Sequence, residues 1–453
     1  WVMSFDLNSL YPHLIMQYNI SPETLVADEK VKNMSVEKLL NKEVDTSILK
    51  DATMTPNGAL FKTTQKGFLP ELMQKMYDDR VKFKQLMIEA QKDYEKTKDP
   101  KLQKTIAKFN NIQMAKKISL NSAYGAIGNV WFRYYNLLVA EAITTSGQLA
   151  IRYIEHTLNQ YLNKILNTRG EDYIIASDTD SVYITFDNLV SKVFVSDTDD
   201  NKIVEFLDRV AKEKLEPFID KSYQDLAEYV NAYEQKMQMK REVIADKGIW
   251  VAKKRYILNA HDVEGVRYKE PKLKIMGVEA VKSSTPAPCR EKIKQALKII
   301  MNEDSKVLNS FIQDFRKEFM TLNPELVAYP RSVNGLNKWT ESHNLFKKGA
   351  PIHCKGAILY NHLVKDKKLQ GKYPYIQEGD KIKFLHMKTP NTYQSTSISF
   401  MTKLPEELNL HNIIDYDTQF EKSFIEPLKF ITDIIRWQID GSYGTQATLE
   451  EFF

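Results

Sequence analysis

Cysteine is almost missing: Cys289 and Cys354 are the two in 453 residues. They stand too far apart for a CxxC pair, so neither a disulfide scaffold nor a cysteine-zinc cluster is expected. No apolar run reaches the roughly eighteen residues that a membrane helix needs, so no membrane is expected among the partners. No signal peptide is visible, and the chain reads as intracellular. Internal repeats and low-complexity tracts are absent as well. What remains is an ordinary globular balance, 43% hydrophobic and 27% charged, in a chain long enough for two to four domains. The net charge of +5 is modest, but cations cluster in Lys253-Lys254-Arg255, in Arg267 to Lys274 and in Lys365 to Lys368. Such clusters suit a phosphate backbone, and they are also common on solvated surface.

Val2-Met3-Ser4-Phe5 reads as a strand already under way, so the sequence looks like the downstream part of something longer. After Asp6 the segment around Pro12 suits a helix. Two charged, helix-favouring runs follow, Leu69 to about Thr97 and Lys101 to about Tyr124, broken by Lys98-Asp99-Pro100. So short a break predicts an antiparallel helical pair on the order of 40 Å long. A further long helix is expected to about Asn167, then a hairpin around DYIIA-SDTD-SVYITF. Residues 201–239 look helical. Two strands with a turn between them are expected in IWVAKKRYILNAHD and EGVRYKEPKLKIMGVE. Beyond Pro286 the chain reads as helix to about Leu322, then as irregular and basic, then as helix again.

The string SDTD occurs twice, at Ser177–Asp180 and at Ser196–Asp199. In the first copy Asp178 and Asp180 sit in a turn between apolar strands. Acids held together over a hydrophobic sheet are costly unless a cation neutralises them, although Asp is also common in tight turns. The second copy runs into Asp200-Asn201 and an amphipathic helix, where capping explains it. Asp6, ending the strand VMSF, is the natural partner for Asp178 in a site for two magnesium ions.

The helical pair offers matching cations. With its turn near Asp99, Arg80 and Lys84 before the turn and Lys117 after it come to similar height. Lys117, Asn121 and Tyr124 share one face, as do Arg80 and Lys84. Cations facing paired acids are what a magnesium-bound nucleoside triphosphate requires. Two solvent-exposed charged faces would look the same without the acids.

DLNSLYP (Asp6–Pro12), KKISLNSAYG (Lys116–Gly125) and SDTDS (Ser177–Ser181), in that order, resemble the three polymerase motifs of the family-B DNA polymerases. GNVWFRYYN, AITTSGQ, KKRY and EPKLKIMG are most similar to the replicative members of T-even-type tailed phages. The resemblance implies an α+β right-hand architecture. It comprises a palm with an antiparallel sheet (1–66 and 127–278), two-helix fingers (67–126), a mostly helical thumb (279–445) and a tail (446–453). It implies that Asp6 and Asp178 bind two Mg2+ ions, with Mn2+ able to substitute, and that Asp180 supports them. Arg80, Lys84, Lys117 and Asn121 would hold the dNTP, with Lys117 also protonating pyrophosphate. Ser9, Leu10 and Tyr11 would add contacts, Tyr11 rejecting a 2′-hydroxyl by its bulk. Tyr124 and Gly125 would line the nascent pair, and Lys253, Lys254, Arg255 and Tyr256 would grip the primer of a primer-template DNA.

The sequence departs from the family pattern in two places. Ser177 stands where the family has Gly, and His13 where it has a small residue; a partly exposed His near a helix start is expected there. The exonuclease and N-terminal domains that the resemblance implies upstream of Asp6 are not in these residues. The expectation is a chain without its own proofreading, paired with a separately encoded upstream half or cut from a longer one. An inactive DNA- and clamp-binding fragment and a metal-dependent nuclease are the rival readings. Retention of the acids and the fingers cations disfavours the first. The second has no use for a triphosphate-binding helical pair. In the tail, Gln446, Leu449, Phe452 and Phe453 form a QxxLxxFF pattern that resembles a sliding-clamp-binding peptide.

Overall fold

The structure, a computed structural model, describes residues 1–26, 31–195, 198–341 and 345–439. The chain divides into two compact units, Trp1–Gly248 with Leu258–Lys272, and Ile249–Ile257 with Leu273 onward.

The first unit begins with β1 (Val2–Leu7), α1 (Leu10–Gln17), α2 (Val36–Leu40), β2 (Ala52–Met54) and β3 (Leu60–Lys62). The long helices α3 (Phe68–Thr97), α4 (Pro100–Ile127) and α5 (Leu137–Leu166) follow, then the hairpin β4 (Ile174–Asp178) and β5 (Ser181–Thr185). After α6 (Asp187–Val193), α7 (Asp200–Val210) and α8 (Glu216–Tyr229) come β6 (Met239–Ala252), β7 (Arg255–Val263) and β8 (Val266–Met276). Their six-stranded sheet has the order β4-β5-β1-β6-β7-β8, so β1 lies at the centre although it comes first. Both neighbours of β1 run antiparallel to it. Alternation along β1 then decides the faces. Met3, Phe5 and Leu7 are fully buried and join Leu14, Ile15, Ile143, Ile154 and Leu158 of α1 and α5 in one core. Ser4 and Asp6 face the other way.

The break at Lys98-Asp99-Pro100 works as the residues suggest. Lys98 ends α3 in a left-handed conformation, the Asp99 side chain accepts from Lys101 N–H, and Pro100 opens α4 where no N–H is needed. α3 and α4 then pack along each other as the expected antiparallel pair. β6 begins ten residues before the expected Ile249. Its charged start is strand because Arg241 is buried there between Asp262 and Asp208. A π-helical turn at Ala211–Leu215 precedes Pro217, and another at Glu421–Ile425 precedes Pro427. Each widens the helix where proline cannot donate.

The second unit has α9 (Ala287–Asn302), α10 (Ser305–Phe319), α11 (Pro324–Val327), β9 (Tyr329–Ser332), α12 (Leu336–Trp339) and α13 (Ile352–Asp366). It continues with β10 (Lys381–His386), β11 (Ser397–Phe400), α14 (Tyr416–Phe420) and α15 (Glu426–Thr432). The stretch read as irregular and basic therefore carries α13 and a whole three-stranded sheet, ordered β11-β10-β9. Phe315, Phe319, Phe420 and Phe424 form the aromatic centre of this core, with Phe315 and Phe424 centroids 4.7 Å apart.

Candidate active site

The three acids are assembled by strand register. Asp6 of β1 pairs with Ser181 of β5, and Ser181 pairs on its other side with Asp178 of β4. Directly opposed residues share a face, so both carboxylates rise from one side, two strand spacings or roughly 10 Å apart at Cα. Ser181, small and buried, lies between them. Asp180 is in the two-residue turn, whose backbone is tied to the end of β1 by Leu7 N–H donating to Asp180 O at 2.7 Å. Thr179 takes a left-handed φ of 49° there, unusual for a β-branched residue and a sign of local strain. Burial pushes the Asp180 carboxyl up; Lys117 opposes that and Asp178 and Glu242 add to it, so these four charges share one site.

Glu242 had no signal in the sequence. It is the extra residue of a bulge, since Ser4 pairs with Val243 and Phe5 with Arg241. The bulge turns its carboxylate toward Ser4, which donates to it at 3.3 Å. Alternation cannot reveal a side chain that a bulge re-aims.

Three residues after Asp6, Ser9 adopts φ 47° and starts α1 without a side-chain cap. The first N–H groups of α1, at Leu10 and Tyr11, are thus left without helical partners, a setting that favours an anion. The Ser9 hydroxyl instead takes a hydrogen bond from Arg80 Nη1 at 2.5 Å. Arg80 is buried on α3; burial lowers its pKa while Tyr77, Glu264 and Asp6 support its charge. Its Nε lacks a hydrogen-bond partner. Lys84, one turn on, pairs with Glu264. Lys117 and Asn121 are exposed on α4. Tyr124, on the same helix face, has its ring centroid 4.8 Å from that of Tyr11. Tyr11 is in turn raised in pKa by burial, by Tyr124 and by Asp180. A Cβ at Gly125 would meet nothing within 4 Å, so its surface is open.

A family model described as DNA polymerase family B matches residues 1–435. The chain belongs to that family. The DNA-directed DNA polymerase of Escherichia phage RB69 is 34% identical over 510 aligned residues, covering 100% of this chain and 55% of that protein. That of Enterobacteria phage T4 is 33% identical over 94% of this chain and 53% of its own length. The DNA polymerase delta catalytic subunit of Arabidopsis thaliana is 31% identical over 41% of this chain and 15% of its own length. The chain spans about half the length of the phage relatives it matches.

In this family-B chain the two departures have structural answers. Ser177 is exposed and its hydroxyl donates to Glu155 of α5 at 3.3 Å, while Asp178, the next residue along β4, points to the other face. His13 is not partly exposed, as the sequence suggested, but 3% exposed. Its Nδ1 lies 3.0 Å from Ser9 O and its ring meets Tyr77 edge-on at 4.3 Å. Burial in that niche drops its pKa to about 4. The α1 start turns its third and fourth residues inward, which a helix-start pattern alone does not show.

The second SDTD caps a helix: the Asp199 side chain accepts from Asn201 N–H at 3.1 Å at the start of α7. Its Ser196 and Asp197, and the tail residues Gln446, Leu449, Phe452 and Phe453, lie outside the described residues. In the second unit Lys253 and Lys254 are exposed in the β6–β7 turn. Arg255 pairs with Glu279, and Tyr256 is 7% exposed with its ring 6.2 Å from Trp250.

Among the described residues no three His, Cys, Asp or Glu side chains could hold a metal ion unaided. Two aspartates on one sheet face, with Arg80 and Lys117 acting on the acids, still suit magnesium. That ion keeps water and substrate phosphates as ligands and needs only one or two carboxylates.

Proposed function

We propose that this chain carries out template-directed DNA synthesis, transferring a nucleotide from a dNTP to a primer 3′-hydroxyl. The observation that carries the reading is the register of Asp6 and Asp178 about Ser181, with Arg80 charge-coupled to Asp6 and Lys117 to Asp180. Asp6 and Asp178 would hold the metal ions, and Asp180, partly desolvated, would support them. Magnesium held by Asp6 and Asp178 would lower the pKa of the primer 3′-hydroxyl and offset charge on the leaving pyrophosphate.

The rest falls to the chain's own groups. Arg80, Lys84, Lys117 and Asn121 gather the triphosphate, together with the free N–H groups at Leu10 and Tyr11 and the Ser9 hydroxyl. Lys117, exposed beside Asp180, is placed to give a proton to the leaving pyrophosphate. Tyr11 lies under the sugar and excludes a 2′-hydroxyl; Tyr124 and Gly125 bound the new base pair. In this reading α3 and α4 are the fingers, the six-stranded sheet is the palm, and the residues after about 278 are the thumb. Lys253 to Tyr256 grip the primer strand. The QxxLxxFF tail binds a sliding clamp, which would raise processivity through effective concentration; the sequence pattern alone supports that part.

Primer extension on a primed template with magnesium and dNTPs, compared with Asp178→Ala, tests the proposal. Extension that the substitution reduces by about a thousandfold or more is expected. Extension that survives the substitution would place the chemistry elsewhere.

A further inference from the structure

Glu264 occupies a costly position. It and Gly265 form the two-residue turn between β7 and β8, with φ of 50° and 80°. A turn with both central residues at positive φ favours Asn, Asp or Gly in the first place. Glu lacks the short polar side chain that makes the left-handed conformation tolerable. The turn is also well anchored. Asp262, 1% exposed, accepts from Gly265 N–H at 2.9 Å and from Arg267 at 3.2 Å, and pairs with buried Arg241. Glu264 N–H donates to Glu242 O at 2.7 Å.

That rigid tip points its carboxylate at α3. Lys84 Nζ lies 2.5 Å from Glu264 Oε1, with the two side chains 26% and 32% exposed. Arg80, one helical turn earlier, feels the same charge. Three turns further along, Glu95 of α3 pairs with Lys272 of β8 at 2.6 Å, so the helix is seated against this hairpin at two points.

We propose that Glu264 is a positioning residue that stands in for the triphosphate. It neutralises and orients Lys84 while no nucleotide is bound, and an incoming triphosphate must displace it. The inference rests on the reading of Arg80 and Lys84 as triphosphate ligands. The displacement cost is the same for any triphosphate, matched or mismatched, because the contact lies on the phosphate-binding cations and away from the base. It therefore enters nucleotide affinity and leaves the chemical step and base discrimination unchanged.

The test is a cycle of full-length chains: wild type, Glu264→Gln, Lys84→Ala and the double variant. Magnesium tripolyphosphate affinity is measured by calorimetry, and dNTP affinity and maximal rate by single-turnover primer extension. For a pair less than a third exposed, Glu264→Gln should tighten both affinities by about two- to fivefold, with the maximal rate unchanged. In the Lys84→Ala background the same substitution should change nothing. Unchanged affinity in Glu264→Gln, or an equal gain without Lys84, overturns the inference. Tighter tripolyphosphate binding in a chain that extends no primer would instead overturn the polymerase reading and leave the Glu264–Lys84 exchange standing.

Discussion

Tyr11 and Tyr124 meet in the candidate site, one from the first turn of α1 and one from α4, with ring centroids 4.8 Å apart and planes tilted by 56°. The pair ties the C-terminal part of α4 to the helix that follows Asp6. The Asp180 charge reaches this pair and helps to raise the Tyr11 pKa.

Removing the Tyr11 ring should therefore open room where a 2′-hydroxyl would lie. Tyr11→Ala is expected to raise ribonucleotide incorporation relative to deoxyribonucleotide by about 100-fold, the upper range for a steric filter. Competition between rNTP and dNTP in primer extension measures it. Tyr11→Phe, which keeps the bulk, should stay near wild type. If it behaved like Tyr11→Ala, the hydroxyl and not the ring would be the filter.

His13 should make the chain acid-sensitive. Its pKa falls from 6.5 to about 4 on folding, so the folded state disfavours the proton that the unfolded state accepts. The stability due to neutral His13 is fully present above pH ~6.5 and is lost as pH falls from there toward ~4. Between pH 7 and pH 5 the loss should be about 2 kcal/mol. His13→Phe, which keeps the edge-on contact with Tyr77, should lose about that much less over the same interval. Urea denaturation at the two pH values decides it; parallel losses in both proteins would show that folding does not lower the His13 pKa.

Gly277 should govern the Lys253-Lys254 turn. Its φ is 65°, and a Cβ there would lie 2.1 Å from Lys254 O. Both residues belong to the second unit, and Lys254 itself holds a φ of 63°. Gly277→Ala would have to push the turn aside. A stability loss of about 2 kcal/mol or more is expected from strain of this kind. Primer-template affinity should weaken several-fold as well. Thermal melting and fluorescence anisotropy at fixed salt provide the two readings; full stability in the variant would mean that the turn moves freely.

Much of the candidate site is proposed from local sequence patterns. Asp6, Asp178 and the cations of the helical pair were placed by local patterns: a strand ending in an acid, a polar turn between apolar strands, and a helix break with its own cap and proline. Each is settled within about ten residues, where backbone sterics and capping dominate. The face shared by Arg80 and Lys84 follows from helical spacing alone.

Other features depended on groups far away in sequence. MKREVIADKG carries no clean strand alternation, and it is strand because Asp208 and Asp262 take up the charge of Arg241. β9, β10 and β11 are short segments that become strands by pairing with one another. Glu242 reaches the acids through a bulge, and Glu264 reaches Lys84 through a turn that a Glu seldom forms.

The amino-acid sequence by itself determined which local elements form and which residues they offer: paired acids in a turn, cations on two helices, and an ordered set of polymerase motifs. Tertiary structure alone decided which of them meet. The register about Ser181, the burial of His13 and the pairing of Lys84 with Glu264 all depend on long-range packing and charge neutralisation. Those energies act between segments separated by up to 180 residues, a distance over which no local pattern carries information.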